Sequence, residues 1–256
     1  MFDLVLPKAC ILCEATGANC CERCTALIAR SAARLACTGC GLYRQCECHL
    51  PHWQIDRTML LSNYQAPIDK LITGIKFRNR MSDASTLGTM LGSTLSSVLI
   101  AASGKSLAPL AAQSIVIVPV PLSKARLRER GFNQAQTIAA AALNHLRHRH
   151  GLKIAFNPHL LERQSSGAAQ SLLTRPERLG NVDHSYAVAL QYIHTVPSHV
   201  LLIDDVMTSG ATLNSCAAAL RRAGATTIWA AVIARTQSNR TRLKPLPLTQ
   251  LPSGND

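Results

Sequence analysis

The chain of 256 residues is long enough for one full-sized core and a small additional module. Its 47% apolar content excludes wholesale disorder, and 4% aromatic residues among many Ala, Leu, Ile and Val favour helices packed on an aliphatic sheet over a β-sandwich. A formal net charge of +13 favours polyanionic or phosphate-bearing partners, and equally describes a generally basic, soluble surface.

The first eight residues hold no basic stretch followed by a long apolar run, so no signal peptide is expected and the location is read as cytoplasmic. Nine of the ten cysteines lie at or before Cys48, and the exception, Cys216, is read as core. Cys10-x2-Cys13, Cys21-x2-Cys24 and Cys37-x2-Cys40 are three complete knuckles, followed by an irregular group of Cys46, Cys48 and His49. A two-residue gap turns two thiolates to one side, and two knuckles complete the tetrahedron preferred by Zn²⁺. A disulfide framework would require export, and an iron–sulfur cluster is the minor alternative. Two ions could be held, one by Cys10, Cys13, Cys21 and Cys24 and the other by Cys37, Cys40, Cys46 and Cys48. A crossed pairing fits the spacing equally, and His49 could replace Cys48, while Cys20 is the spare. Closed sites of this kind are structural.

Pro51 and Trp53 follow the last knuckle and mark the boundary, giving a zinc-binding module over 1–52 and a main domain over 53–236. A strand is predicted over 58–64 and a helix over 67–77 with Ile68, Leu71, Ile72 and Ile75 on its apolar side. Residues 84–104 carry no charge, yet their Ser and Thr content and the spacing of Leu87, Met90, Leu91, Leu95, Val98 and Leu99 describe a soluble amphipathic helix, not a membrane span. Gly104-Lys105-Ser106 lacks the earlier glycine of a P-loop, since Leu99 stands there.

Residues 115–118 form a buried strand ending at Pro119-Val120-Pro121. Residues 124–130 are expected as a basic loop hinged at Gly131, and 133–146 as an Ala-rich helix. A second buried strand over 200–203 stops at Asp204-Asp205, residues 206–212 turn into a helix over 213–223 closed by Gly224, and 226–234 is the last strand. This alternation predicts an open, mainly parallel α/β sheet, with 237–256 a disordered basic tail.

Ligands of such sheets sit beyond the carboxyl ends of strands, where Pro119 and Asp204 lie. Thr208, Ser209 and Thr212 supply hydroxyls, Gly210 permits close approach of a ligand to the backbone, and the helix opening near Ala211 directs N–H groups at an anion. The adjacent carboxylates of Asp204 and Asp205 repel and require a partner: ribose hydroxyls, Mg²⁺ or arginines. A ribose 5-phosphate engages acids and loop together. A Walker B strand would need the missing P-loop, a phospho-acceptor domain carries its acids earlier in the chain, and a capped structural turn is the remaining alternative.

The run 201–212, from Leu201 through Met207 to Thr212, resembles the signature of the type I phosphoribosyltransferase fold. With the knuckles, residues 71–77, Val118 to Leu122, Arg130-Gly131-Phe132-Asn133-Gln134, and the set Leu161, Arg163, Gln170, Leu172, Arg178 and Asn181, it resembles the ComF family. That resemblance implies that Asp204 and Asp205 face the ribose, that Met207 and residues 208–212 hold the 5-phosphate, and that the turn from Pro119 through Val120 to Leu122 approaches the pyrophosphate. Arg126, Arg128 and Arg130 would lie on a mobile covering loop. Arg163, Gln170, Arg178 and Asn181 match a motif whose role the residues do not define. Ser209 stands where the family usually has Thr, which keeps the hydroxyl.

Two functions follow as expectations. One is a phosphoribosyltransferase-like protein that binds PRPP (5-phosphoribosyl 1-diphosphate) or a ribose 5-phosphate with Mg²⁺, and in a transferase loses pyrophosphate at C1. The other is a non-catalytic protein that binds single-stranded DNA or scaffolds competence proteins during DNA uptake, with no membrane insertion. No residue identifies an acceptor base.

Overall fold

The computed structural model describes residues 9–10, 13, 15–17, 21, 23–24, 34–36, 53–65, 68–78, 80–102, 114–150, 154–164 and 185–236. Its main sheet has six strands: β1 (Arg34–Ala36), β2 (Arg57–Asn63), β3 (Ile115–Pro119), β4 (Ile154–Phe156), and further along the chain β7 (His199–Met207) and β8 (Thr227–Arg235). Their order is β1-β2-β8-β7-β3-β4. Only β1 runs antiparallel to its neighbour, β2. The central strands are continuous apolar runs because both faces are covered, and seven successive residues of β8 are buried. β5 (Leu161–Arg163) and β6 (Tyr186–Val188) pair separately as an antiparallel ribbon.

One face of the sheet carries α1 (Ile68–Arg78), α2 (Met81–Ala102) and α4 (Gln134–His150), whose buried Leu71, Ile72, Leu87, Leu91, Ile138 and Leu143 meet Ile117, Leu201 and Ile203 from the strands. Leu87, Met90, Leu91 and Leu95 form the expected apolar stripe of α2, while the side chains of Val98 and Leu99 lie outside the described residues. α2 and α4 pack backbone to backbone at Gly92, where a Cβ would come within 2.8 Å of the Ala142 carbonyl oxygen. The other face carries α5 (Ala211–Arg222) and the β5–β6 ribbon, packed on Val118, Val200, Leu202, Ala230 and Val232. Gly224 closes α5 with φ 107°, in the left-handed region as the sequence suggested.

Two expectations are overturned. β7 does not stop at Asp204-Asp205 but stays paired with β8 through Met207, because Val206 and Met207 still pack on the two apolar layers, and the helix that follows opens at Ala211, not at 213. Residues 124–130 form a helix, α3 (Lys124–Arg130), not a loop. Lys, Ala, Arg, Leu and Glu are all good helix formers. Arg126 N–H donates to Ser123 Oγ at 3.2 Å to cap the start, and Gly131, at φ 74°, ends it. Among the described residues no helix is long and apolar enough to cross a membrane.

Candidate functional site

The site begins where β7 stops alternating. Along this strand Leu201 and Ile203 face the α1–α2–α4 layer and Val200 and Leu202 face α5, but Val206 packs on the first layer and Met207 on the second. Asp204 and Asp205 straddle that break in parity. Their carboxylates turn back on the backbone: Asp205 N–H donates to Asp204 Oδ1 at 2.8 Å, and Val206 N–H donates to Asp205 Oδ1 at 2.9 Å. Asp205 Oδ2 lies 2.9 Å from the ammonium of Lys76 on α1. Burial, and next the charge of Asp205, push the Asp204 carboxyl well above its ordinary value of 3.8.

Beyond the acids the chain bends through Met207, Thr208, Ser209 and Gly210 into α5. Thr208, Ser209, Ala211 and Thr212 are exposed, and Met207 is buried in the second core. Gly210 adopts φ 80° and ψ 2°, caps α5 without a side chain, and so leaves the first helical N–H groups directed along the axis toward solvent. Of these, Ala211 N–H donates to Ser209 Oγ at 3.3 Å. Exposed hydroxyls around unpaired amides are the elements of an anion cradle.

Gly210 has a second role that the sequence did not suggest. The space that its Cβ would take is filled by the ring of Trp53, whose Cη2 such a Cβ would overlap. On that face the missing Cβ makes room for a side chain of the protein. Residues 53–56 run along α5 as a strap. Gln54 N–H donates to Asn214 Oδ1 at 2.7 Å, Ile55 is buried, and Asp56 pairs with Arg221 at 2.6 Å while accepting the Ile228 N–H at 2.7 Å.

β3 brings the second candidate segment alongside. Pro119 pairs in register with Ile203, and Val120 N–H donates to the Ile203 carbonyl at 2.9 Å, which sets Val120 next to Asp204. Asn133 fixes this turn to the start of α4: its Nδ2 donates to the Val120 carbonyl at 3.0 Å, and its Oδ1 accepts from Ala135 N–H at 3.0 Å. Arg130, at the end of α3, buries Nε and Nη1 without an acceptor among the described residues. Two buried donors lacking a partner point to a group that the protein itself does not supply. Arg126 and Arg128 are exposed.

The cysteines at 10, 13, 21 and 24 form one cluster, with their sulfurs all within 4.8 Å of one another. Cys21 N–H donates to Cys10 Sγ at 3.4 Å, and burial with neighbouring thiols pushes the Cys24 thiol up. Four thiols at this separation could hold a metal ion, and the set is consistent with zinc. The uncrossed pairing is thereby favoured for this tetrad, whereas Cys37, Cys40, Cys46, Cys48 and His49 lie outside the described residues.

Arg163 lies over the Tyr186 ring at 5.7 Å, a contact inside the β5–β6 ribbon, while Gln170, Arg178 and Asn181 fall outside the described residues. The tail over 237–256 falls outside them too. Lys76 and Trp53 are the residues that sequence reasoning left without a role at the site. For Lys76 a signal existed: it follows Ile72 by one helical turn and Ile75 by one residue, at the edge of the buried stripe of α1.

A phosphoribosyl transferase domain matches residues 193–246, which span β7, the acid pair, the bend and α5. With the mainly parallel sheet and the cysteine cluster, this defines an α/β protein of the phosphoribosyltransferase type with an amino-terminal four-cysteine cluster that could hold a metal ion. The chain is 29% identical over 245 residues to the DNA utilization protein YhgH of Salmonella typhi, covering 91% of this chain and 99% of the relative. It is 28% identical over 174 residues to competence protein F of Haemophilus influenzae (68% and 69% covered) and 36% identical over 108 residues to competence protein ComFC of Streptococcus pneumoniae (42% of each). Together these matches support membership of the ComF family.

Proposed function

We propose that the chain binds PRPP or a ribose 5-phosphate at the carboxyl end of β7, with the bend over 207–212 taking the 5-phosphate and Asp204 and Asp205 taking the ribose hydroxyls. The observation that carries this reading is the direct succession of an acid pair, half-buried at Asp204 and buried at Asp205, exposed hydroxyls and a left-handed glycine opening a 12-residue helix. Pro119 and Val120 stand beside Asp204 for the pyrophosphate end, and the buried nitrogens of Arg130 are donors for its oxygens.

Magnesium fits this site in one way. Three of the four carboxylate oxygens of the pair already face an N–H group or the Lys76 ammonium. Mg²⁺ demands near-octahedral oxygen coordination and keeps several waters, so the diphosphate, not the acid pair, would bring it. Bound there, it would neutralise a departing pyrophosphate, so the same site supports transfer of the phosphoribosyl group to an acceptor. The metal of the cysteine cluster is proposed to be structural zinc.

Calorimetry with PRPP and ribose 5-phosphate tests the reading. Binding is expected for the full chain and a large loss for Asp205→Asn; unchanged affinity in that variant would remove the site.

A second reading, binding of single-stranded DNA, is favoured by the names of the relatives and by the exposed Lys124, Arg126 and Arg128 on α3. Phosphate contacts make such affinity fall steeply with salt, so a flat salt response would exclude it.

A further inference from the structure

We propose that Lys76 is the built-in counter-ion of the acid pair, a positioning residue that lets Asp204 and Asp205 accept sugar hydroxyls without a divalent cation on their carboxylates. The proposal rests on the ribose-phosphate reading above and adds a residue and a cation independence to it.

Two side-by-side carboxylates need a proton, a metal or a fixed positive charge. Here the fixed charge comes from the layer opposite α5. Lys76 leaves the edge of the apolar stripe of α1 and reaches Asp205 Oδ2 at 2.9 Å, with its side chain 21% exposed and that of Asp205 7% exposed. The ammonium is thus half-withdrawn from water, where its attraction is less screened than at the surface.

The helix that carries it is held in rotation at its carboxyl end. Arg80 N–H donates to the Gly74 carbonyl at 3.4 Å, Arg80 Nε pairs with the fully buried Asp83 at 3.0 Å, and Asp83 Oδ2 sits 2.7 Å from where a Cβ of Gly74 would stand. Asp204 Oδ1 and Asp205 Oδ1 are held on backbone N–H groups and Asp205 Oδ2 on Lys76, so the chain's own groups orient and compensate the pair while lone pairs remain on both carboxylates for hydroxyl donors.

The test uses the full, metal-loaded chain and ribose 5-phosphate, titrated calorimetrically in divalent-free buffer and again with millimolar MgCl₂. The parent chain is expected to bind equally in both. Lys76→Met is expected to lose about tenfold or more in affinity in divalent-free buffer and to regain it with magnesium, while Lys76→Arg, which keeps the charge, stays close to the parent. In an Asp205→Asn background, Lys76→Met should cost nothing further, because the lysine acts through that carboxylate.

A Lys76→Met chain that binds like the parent without magnesium overturns the proposal, as does a loss of equal size in both backgrounds, the mark of a merely structural lysine. A parent chain that binds ribose 5-phosphate only with magnesium overturns it too. A parent chain that binds no ribose 5-phosphate in either buffer removes the underlying ribose-phosphate reading, and the role of Lys76 with it.

Discussion

Adding one methyl group at Gly210 tests the coupling between the strap and the bend. Alanine there must hold φ near 80°, which costs an L-residue about 1–2 kcal/mol. Its Cβ would also overlap Trp53 Cη2, and overpacking of this kind costs about 1–3 kcal/mol. The two add to about 2–5 kcal/mol, shared between stability and the geometry of the anion cradle. At about 2–4 °C per kcal/mol, the stability share alone lowers Tm by several degrees, and any part taken by the bend weakens ribose 5-phosphate binding tenfold per 1.4 kcal/mol.

Trp53→Phe removes the overlapping atom, so in that background Gly210→Ala should retain only the backbone cost. The difference is a coupling energy of about 1–3 kcal/mol, measured by calorimetric unfolding and by titration across the four chains. If Gly210→Ala changes neither Tm nor affinity, or changes them equally in both backgrounds, the assignment of Trp53 as the wall of the bend is wrong.

Asp204 supplies a pH prediction. Its folded pKa is raised, so the native chain holds this proton more tightly than the unfolded chain, and the stability so gained is full below 3.8 and lost as pH rises through the folded value. Asp204→Asn should therefore raise Tm most at neutral pH, with the gain fading toward acid pH, while binding of ribose 5-phosphate falls; a Tm difference constant with pH would contradict the buried, acid-coupled setting. At the cysteine cluster, Cys10→Ser is expected to lower bound metal by one ion per chain in elemental analysis and to loosen the amino-terminal segment, whereas Cys216→Ser, deep in α5, leaves metal content unchanged. Equal metal content in both variants would show that Cys10 is not a ligand.

The central part of the site could be read along the chain because its parts are contiguous. An apolar strand, two acids, a hydroxyl-rich bend and a helix follow one another between 199 and 222, and each has a local chemical signature. The cysteine tetrad was readable for the same reason. α3 was misread because it has no buried residue, and a helix without an apolar stripe gives periodicity nothing to detect. The strands β1, β4, β5 and β6 have three residues each, too few for alternation to stand out. The place of Lys76 at the edge of the buried stripe of α1 marked the residue but not its partner, because Asp205, like the Gly210 that meets Trp53, lies in the distant half of the chain, where spacing carries no information about such meetings.

The strap over 53–56 also bears on the order in which the molecule can assemble. Its bonds to Asn214, Arg221 and Ile228 span 160 to 172 residues, and β2, which follows it, finds its parallel neighbour only in β8. During synthesis, β2 is made early and its principal neighbour nearly last, and contacts of such long range form slowly. Until β8 emerges, a strand with five consecutive buried residues has one edge of its ladder open, since the short β1 pairs along the other. Chains cut off ahead of 227 would keep the cysteine cluster yet leave that edge bare, so truncation from the carboxyl end should yield aggregates sooner than truncation of the head.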